Sequence, residues 1–187
     1  MENTENKPAV FIDRDGTIVF FVDVLSEPSQ VKLLPGAAEA IADLNRRGFL
    51  VIALTNQPNI EKGLLTQDGL KAIHDLLQKQ LAESGARLDA IYTCPHKYRP
   101  PTDPMPQCEC RKPGLKLLED AQAEFPIDMA KSWFIGDRLR DVETGRRAHL
   151  KTILVPTGGS SKDDEFFSDT KPDYTADDLL AAVRLIR

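Results

Sequence analysis

An α/β fold, a three-layer α/β/α sandwich around a mainly parallel sheet, is predicted by three observations. Short apolar runs alternate along the chain with stretches of helical period. The apolar runs end in polar residues, and Gly or Pro punctuates several of the junctions. Strands separated by helices imply right-handed crossovers and a sheet covered on both faces.

The elements follow in order. Residues 1–8, MENTENKP, form a polar stretch expected to be a mobile arm. Val10, Phe11 and Ile12 read as a buried strand that ends in Asp13 and Asp15, with Gly16 marking a sharp exit. The next apolar run, Ile18 to Val22, reads either as a flap beside a cleft or as packing against the domain. Pro35 and Gly36 open a helix whose Ala37, Ile41 and Leu44 share one face, and Gly48 closes it.

Phe49 to Leu54 is continuously apolar, as a strand buried on both faces should be, and it ends in Thr55, Asn56 and Gln57. Thr66 caps a long helix with Leu70, Ile73, Leu77 and Leu81 in one stripe. His74 adjoins the stripe and reads as an ordinary packed or surface histidine. A short strand, Ala90 to Tyr92, leads into a proline-rich loop that ends at Cys110. Leu115, Leu118 and Ala121 mark a helix, and Ser132 to Ile135 a strand ending in Gly136 and Asp137. A helix beginning near Asp141, a strand from Thr152 to Val155, a Gly/Ser/Asp-rich loop and a last helix from about Ala176, capped by Thr175, complete the alternation.

With 187 residues, 41% hydrophobic and 28% charged, the chain suits one domain over residues 1–187 that buries roughly 70% of its unfolded surface. No apolar run approaches the ~18 residues of a membrane span. The first residues lack the basic and apolar regions of a signal peptide, so a cytoplasmic protein with no membrane partner is expected; a monomer is the expected state. A net charge of −5 argues against broad nucleic-acid binding, which needs a basic face. A phosphorylated ligand would have to be met by a few placed cations.

The acidic strand tips carry the chemistry. Two aspartates at a strand's carboxyl end suit nucleophilic attack on phosphorus by Asp13, with Asp15 protonating the leaving oxygen and later activating water. The other reading is a plain strand-to-turn junction. A calcium loop fails on spacing, because an EF-hand would place Gly16 sixth rather than fourth and an acid where Val24 stands. Thr55 and Asn56 can hydrogen-bond phosphate oxygens, Arg111 or Lys112 can supply positive charge, and Asp137 can help hold a divalent cation. Magnesium suits carboxylates, water and phosphate best.

A second signal is CPH at Cys94 to His96 followed by CEC at Cys108 to Cys110, which uses every cysteine in the chain. Cys94, His96, Cys108 and Cys110 supply the four soft or borderline ligands that a closed tetrahedral zinc site needs, and such a site is expected to be structural because no position stays open. The other reading is a loop of free thiols. Metal would order a segment with little apolar content and aim Arg111 and Lys112, which follow the last ligand.

Taken together, DRDGT from Asp13, TN at Thr55, RK at Arg111 and GDRLRD from Gly136 resemble the four motifs of the haloacid dehalogenase (HAD) superfamily. The likeness spans about Val10 to Gly158. It implies Asp13 as nucleophile, Asp15 as acid/base, and Asp13, Asp137 and the Asp15 backbone carbonyl on magnesium. It also implies Lys112 as the residue that neutralises the phosphoryl group, with Thr55 beside it. The segments between Asp13 and Thr55, and between Thr55 and Arg111, are consumed by elements already assigned, so no cap domain is expected.

The added cysteine loop resembles the branch that holds heptose bisphosphate and histidinol-phosphate phosphatases. Within it TNQ at Thr55 to Gln57, KGLLT, IDMAKSWFIGD and LVPTGG look more like the heptose enzymes. Arg138 keeps the charge of a lysine common there, and Thr55, Asn56, Gln57, Arg111, Lys112 and Arg138 are the expected substrate contacts. The likeness implies removal of the C7 phosphate from D-glycero-D-manno-heptose 1,7-bisphosphate during synthesis of nucleotide-activated heptose for surface glycans. Histidinol phosphate or another sugar phosphate is the alternative substrate, and a silent zinc-stabilised binding module the alternative class. Departures lie at VFFVDV, Val19 to Val24, where those enzymes are usually polar, and at Pro58 and Asn59, where they usually carry Ser-Gly.

Overall fold

A computed structural model describes residues 5–99, 103, 105, 107–159 and 166–187. Parts of the expected arm, of the cysteine loop and of the Gly/Ser/Asp-rich loop lie outside these residues. The elements run β1 Ala9–Asp13, α1 Ala37–Arg46, β2 Leu50–Asn56, α2 Pro58–Glu61, α3 Gln67–Ala82 and β3 Ala90–Cys94. They continue with α4 Lys116–Glu124, β4 Trp133–Gly136, α5 Leu139–Arg147, β5 Lys151–Leu154, β6 Tyr174–Thr175 and α6 Leu179–Leu185.

The sheet has the order β3-β2-β1-β4-β5-β6, and every pairing is parallel. β1 is central because all five of its residues are buried, which both faces of a covered sheet demand. Successive side chains alternate between two cores. Val10 and Ile12 join Val51, Ala53, Trp133 and Ile135 under α1, α3 and α6. Phe11 joins Ile52, Leu54 and Phe134 under α4, and Gly145 of α5 lies against Phe134 and Thr152 on that same face.

Most predicted elements are present, with informative differences. Lys7 does not belong to a free arm: its N–H donates to Pro126 O at 2.9 Å and its carbonyl accepts from Asp128 N at 2.8 Å. Thr175 is not a helix cap but half of β6, paired with Leu154; Asp178 caps α6, its side chain accepting from Ala181 N at 2.7 Å. α5 begins at Leu139, two residues early, because Asp141 reaches back to accept from Arg138 N at 3.1 Å. After β1, Ile18 and Val19 are buried in the core and Val19 bridges to Leu33, while Phe20 and Phe21 stay about half exposed. The segment is thus packed at its start and open at Phe20 and Phe21.

From β1 the chain proceeds through β2 to β3 on one side of the sheet, whereas β4, β5 and β6 lie on the other. Crossovers diverge there, and ligands of open α/β sheets bind at the carboxyl ends of strands at such a point. Asp13, Asn56 and Gly136 are the residues that end the three strands around it.

Candidate active site

Asp13 ends β1 in the buried register of the strand, and the turn that follows must carry the chain away without covering it. Gly16 does this at φ +89°, and a Cβ there would sit 2.5 Å from Asp137 Oδ2. Gly158, after β5, closes in from the other side; its Cβ would fall 1.7 Å from the same oxygen. Both glycines leave room for one carboxylate.

Lys112 is buried and enters from the loop before α4. Its ammonium donates to Asp13 Oδ1 and to Leu54 O, the latter at 2.8 Å, and lies 2.7 Å from Asp141 Oδ1. Burial alone would lower its pKa, but the carboxylates of Asp13 and Asp141 outweigh burial and raise it. Burial pushes Asp13 up to about 6, with Lys112 opposing and Asp141 and Asp15 adding to the rise. Asp137 is pushed up to about 9, by burial first and then by Asp13 and Asp141.

Among the described residues neither oxygen of Asp137 accepts a hydrogen bond, although Arg138 Nε stands 3.0 Å from one of them. Asp13, Asp137 and Asp141 bring one carboxylate oxygen each within 4.8 Å of one another. Three buried acids, of which Asp13 and Asp141 face Lys112 while Asp137 accepts no hydrogen bond among the described residues, are a donor set that suits a hard divalent cation, whose charge would reverse the penalty burial imposes. Asp141 was not singled out from sequence. The signal was there: it is the second acid of GDRLRD, four residues after Asp137 and so one helical turn on.

Asp15 sits apart from this cluster, partly open to the cleft. Oδ2 accepts from Gln57 Nε2 at 2.6 Å, from Thr55 Oγ1 at 3.1 Å and from Arg14 Nε at 3.1 Å, while Oδ1 accepts from Arg14 Nη2 at 3.0 Å. Gln57 also donates to Thr55 Oγ1 at 2.8 Å. Thr55 and Gln57, expected at the phosphate, therefore hold Asp15. Asn56, also expected there, clasps the backbone of Lys112, accepting from its N–H at 3.0 Å and donating to its carbonyl at 3.4 Å. Its amide aligns the lysine with the strand tip.

His74 is part-buried, as a packed histidine beside the apolar stripe should be, and it has a partner. Its Nε2 lies 3.0 Å from Arg14 Nη1, a partner sixty positions away in the chain that no local pattern could reveal.

The cleft above Asp13 and Asp15 measures about 190 Å³ and includes Thr55, Asn56, Gln57, Arg111, Lys112 and Arg138 from the sequence prediction. Lys62 and Arg140 add two cations, and Phe21 and Val22 form an apolar lip. Arg138 donates to Gly158 O at 2.8 Å and to Gly159 O, and its guanidinium lies 5.5 Å from the Phe21 ring centroid. Such a basic mouth over buried acids suits an anionic ester.

The cysteine loop closes at the end of β3. Cys94 Sγ lies 3.5 Å from Cys108 Sγ and 2.8 Å from Cys110 Sγ, Cys108 and Cys110 are 3.6 Å apart, and His96 Nδ1 is 3.2 Å from Cys110 Sγ. Ligands of a tetrahedral zinc, with bonds of about 2.3 Å to sulfur, stand about 3.7 Å apart. Cys94–Cys108 and Cys108–Cys110 match that spacing and Cys110 is drawn closer to Cys94 and His96, so three thiols and an imidazole gather as the donor set of such a cage. Burial pushes the Cys94 thiol up, whereas at Cys108 burial is outweighed by hydrogen bonds from the Arg111 backbone, Cys94 and Cys110, which pull its thiol down. Arg111 donates to His96 O at 3.1 Å, which ties the cage to the cleft. Glu61 of α2 anchors the loop from outside, accepting from Lys97 N at 2.5 Å and from Arg99.

An all-parallel sheet with buried acids at two adjacent strand tips and a buried lysine between them defines a phosphatase of the HAD class, and the HAD-hydrolase-like family model matches residues 109–182. The D-glycero-D-manno-heptose-1,7-bisphosphate 7-phosphatase of Chlorobaculum tepidum is 38% identical, over 96% of this chain and 94% of that one. The D-glycero-beta-D-manno-heptose-1,7-bisphosphate 7-phosphatase of Photorhabdus laumondii is 36% identical over 83% and 84%. This chain belongs to the heptose-1,7-bisphosphate 7-phosphatase family. The D,D-heptose 1,7-bisphosphate phosphatase from B. bronchiseptica, crystallised with magnesium and phosphate, superposes with a TM-score of 0.80 at 31% identity, covering 95% of this chain and 97% of that one. Among the described residues no helix is long and apolar enough to cross a membrane.

Proposed function

We propose that this phosphatase hydrolyses D-glycero-D-manno-heptose 1,7-bisphosphate at C7 through a phosphoaspartyl intermediate on Asp13. The observation that carries the reading is the meeting of Asp13, Lys112, Asp137 and Asp141 beneath a cleft rimmed by cations. The relatives' names supply the sugar.

In this reading the phosphoryl group enters with its charge facing Lys112 and the cationic rim. A carboxylate oxygen of Asp13 attacks phosphorus, the bond to the sugar oxygen breaks, and that oxygen takes the proton of Asp15. Asp15 then removes a proton from water, whose oxygen attacks phosphorus, releasing phosphate and restoring Asp13. Lys112 holds positive charge beside the group throughout, fixed by Leu54 O and Asp141. Asp13, Asp137 and the Asp15 carbonyl would hold magnesium, which when bound neutralises phosphoryl oxygens as a Lewis acid. Cys94, His96, Cys108 and Cys110 would hold a structural zinc.

The chain acts, on this proposal, as a single uncapped domain and a cytoplasmic monomer. Thiols gathered for a metal rather than for disulfides suit a reducing compartment. The test is phosphate release with magnesium from heptose 1,7-bisphosphate, histidinol phosphate and hexose phosphates, with Asp13→Asn as blank. A strong preference for the heptose supports the proposal; preference for another ester moves the substrate, and release by Asp13→Asn removes the intermediate.

A further inference from the structure

Arg14 lies between the two aspartates in sequence but is turned away from the cleft and is fully buried. A guanidinium has five donors and no acceptor, and burying one without partners is costly. Asp15 takes Nε and Nη2 as a fork, at 3.1 and 3.0 Å. His74 Nε2 takes Nη1 at 3.0 Å. Because arginine can only donate, Nε2 must offer its lone pair; the imidazole is neutral and carries its proton on Nδ1.

The two oxygens of Asp15 differ in a way that gives this contact meaning. Oδ2 already accepts from Gln57, Thr55 and Arg14 Nε. Among the described residues Oδ1 receives a single hydrogen bond, from Arg14 Nη2, which also stands 2.9 Å from Oδ2. The oxygen with capacity to carry a proton is therefore Oδ1, and the plane of the Arg14 fork sets where it points. Among the described residues that plane has one further anchor, His74. The ring stands on α3 between Ile73 and Leu77, both sealed in the core, and Thr66 caps the helix by accepting from Gly69 N at 3.0 Å. A rigid helix thus fixes the acceptor.

We propose that His74 is a positioning residue: by accepting from Arg14 Nη1 it locks the guanidinium fork that orients Asp15 Oδ1 toward the leaving oxygen. The charged groups facing the ring are Arg14, Asp15 and Asp75. Burial, then the Arg14 charge, pushes His74 down to about 4, so it remains an acceptor at neutral pH.

This inference rests on the acid/base role of Asp15 proposed above, and the test separates the two. His74→Leu removes the acceptor, His74→Gln keeps one, and both are assayed on an alkyl phosphate and on p-nitrophenyl phosphate. An alkoxide must be protonated as it leaves and a nitrophenolate need not be, so kcat/KM, which reports phosphoryl transfer to Asp13, will split by leaving group. For His74→Leu we expect about a tenfold loss on the alkyl ester and less than about twofold on the aryl ester, with His74→Gln restoring most of the loss. His74→Met, which also lacks the acceptor, carries the same expectation if the leucine variant melts early. Equal losses on both esters, no loss, or no rescue by glutamine would overturn the positioning role while leaving the phosphatase reading intact. A wild-type protein inactive on every ester would overturn both.

Discussion

Asp141 Oδ1 lies 2.7 Å from Lys112 Nζ, with both side chains sealed from solvent, and Lys112 also donates to Asp13 Oδ1. Lys112 is therefore pinned from two sides and faces the one acid that must react. Asp141→Asn removes one pinning charge and at the same time relieves repulsion with Asp13 and Asp137. The opposing effects should leave unfolding free energy within about 1 kcal/mol of wild type in urea titrations. Turnover should fall at least about tenfold, because the ammonium is then held by Asp13 and Leu54 O alone. A large stability loss with normal turnover would make Asp141 a structural residue only.

The cysteine cage and the cleft are joined through His96, whose carbonyl accepts from Arg111 at 3.1 Å. Cys108→Ser should lower bound zinc, measured by elemental analysis, and lower the melting temperature by roughly 10 °C. Lys112 is clasped separately by Asn56. The activity loss should accordingly appear more in KM, through Arg111, than in kcat. Unchanged zinc content in this variant would rule out the ligand set.

How far the sequence carried the site depended on distance along the chain. Asp13, Asp15, Thr55, Lys112 and Asp137 were legible because each sits at the end of an apolar run or beside a metal-ligand pattern. The cysteine cage was legible because few alternatives can use four such residues together. His74 was not, since its partner Arg14 reaches it only after β1 and α3 pack. Thr175 misled for a similar reason: its pairing with β5 is tertiary, and the true cap, Asp178, lay three residues on. Asn56 and Gln57 were placed correctly at the strand tip, yet their partners are Lys112 and Asp15. Position was readable; the hydrogen-bond partner was not.

The neutral His74 has a consequence for stability. Its folded pKa, about 4, lies below its ordinary value of 6.5, so above pH 6.5 the ring is neutral in both states and contributes no pH dependence. Between 6.5 and about 4 the unfolded chain binds a proton that the folded chain does not, and stability falls as pH is lowered. Asp13 and Asp137, with raised pKa values, push the other way but do so equally in a His74→Gln variant. The wild type should therefore lose roughly 2 kcal/mol more than His74→Gln between pH 7 and pH 4.5 in urea unfolding. Parallel losses would show that His74 titrates normally.

Gly158 offers a test of the carboxylate cluster that leaves every acid in place. An alanine Cβ there would fall 1.7 Å from Asp137 Oδ2, so the carboxylate must turn away. The Gly158 carbonyl also accepts from Arg138 Nη2 at 2.8 Å, and Arg138 Nε flanks that same Asp137 oxygen at 3.0 Å. Displacing Asp137 would thus spoil a cation ligand without altering the charge of the site. Gly158→Ala should raise the magnesium concentration for half-maximal phosphate release by about tenfold, since a disturbed ligand or its support typically costs about that much affinity. Among the described residues Asp137 accepts no hydrogen bond and would give up only its contact with Arg138 Nε, while its repulsion with Asp13 and Asp141 eases, so the metal-free protein should melt within a few degrees of wild type. Magnesium titrations of both proteins decide the matter: an unchanged requirement would mean that Asp137 does not hold the cation, and the buried cluster would need another explanation.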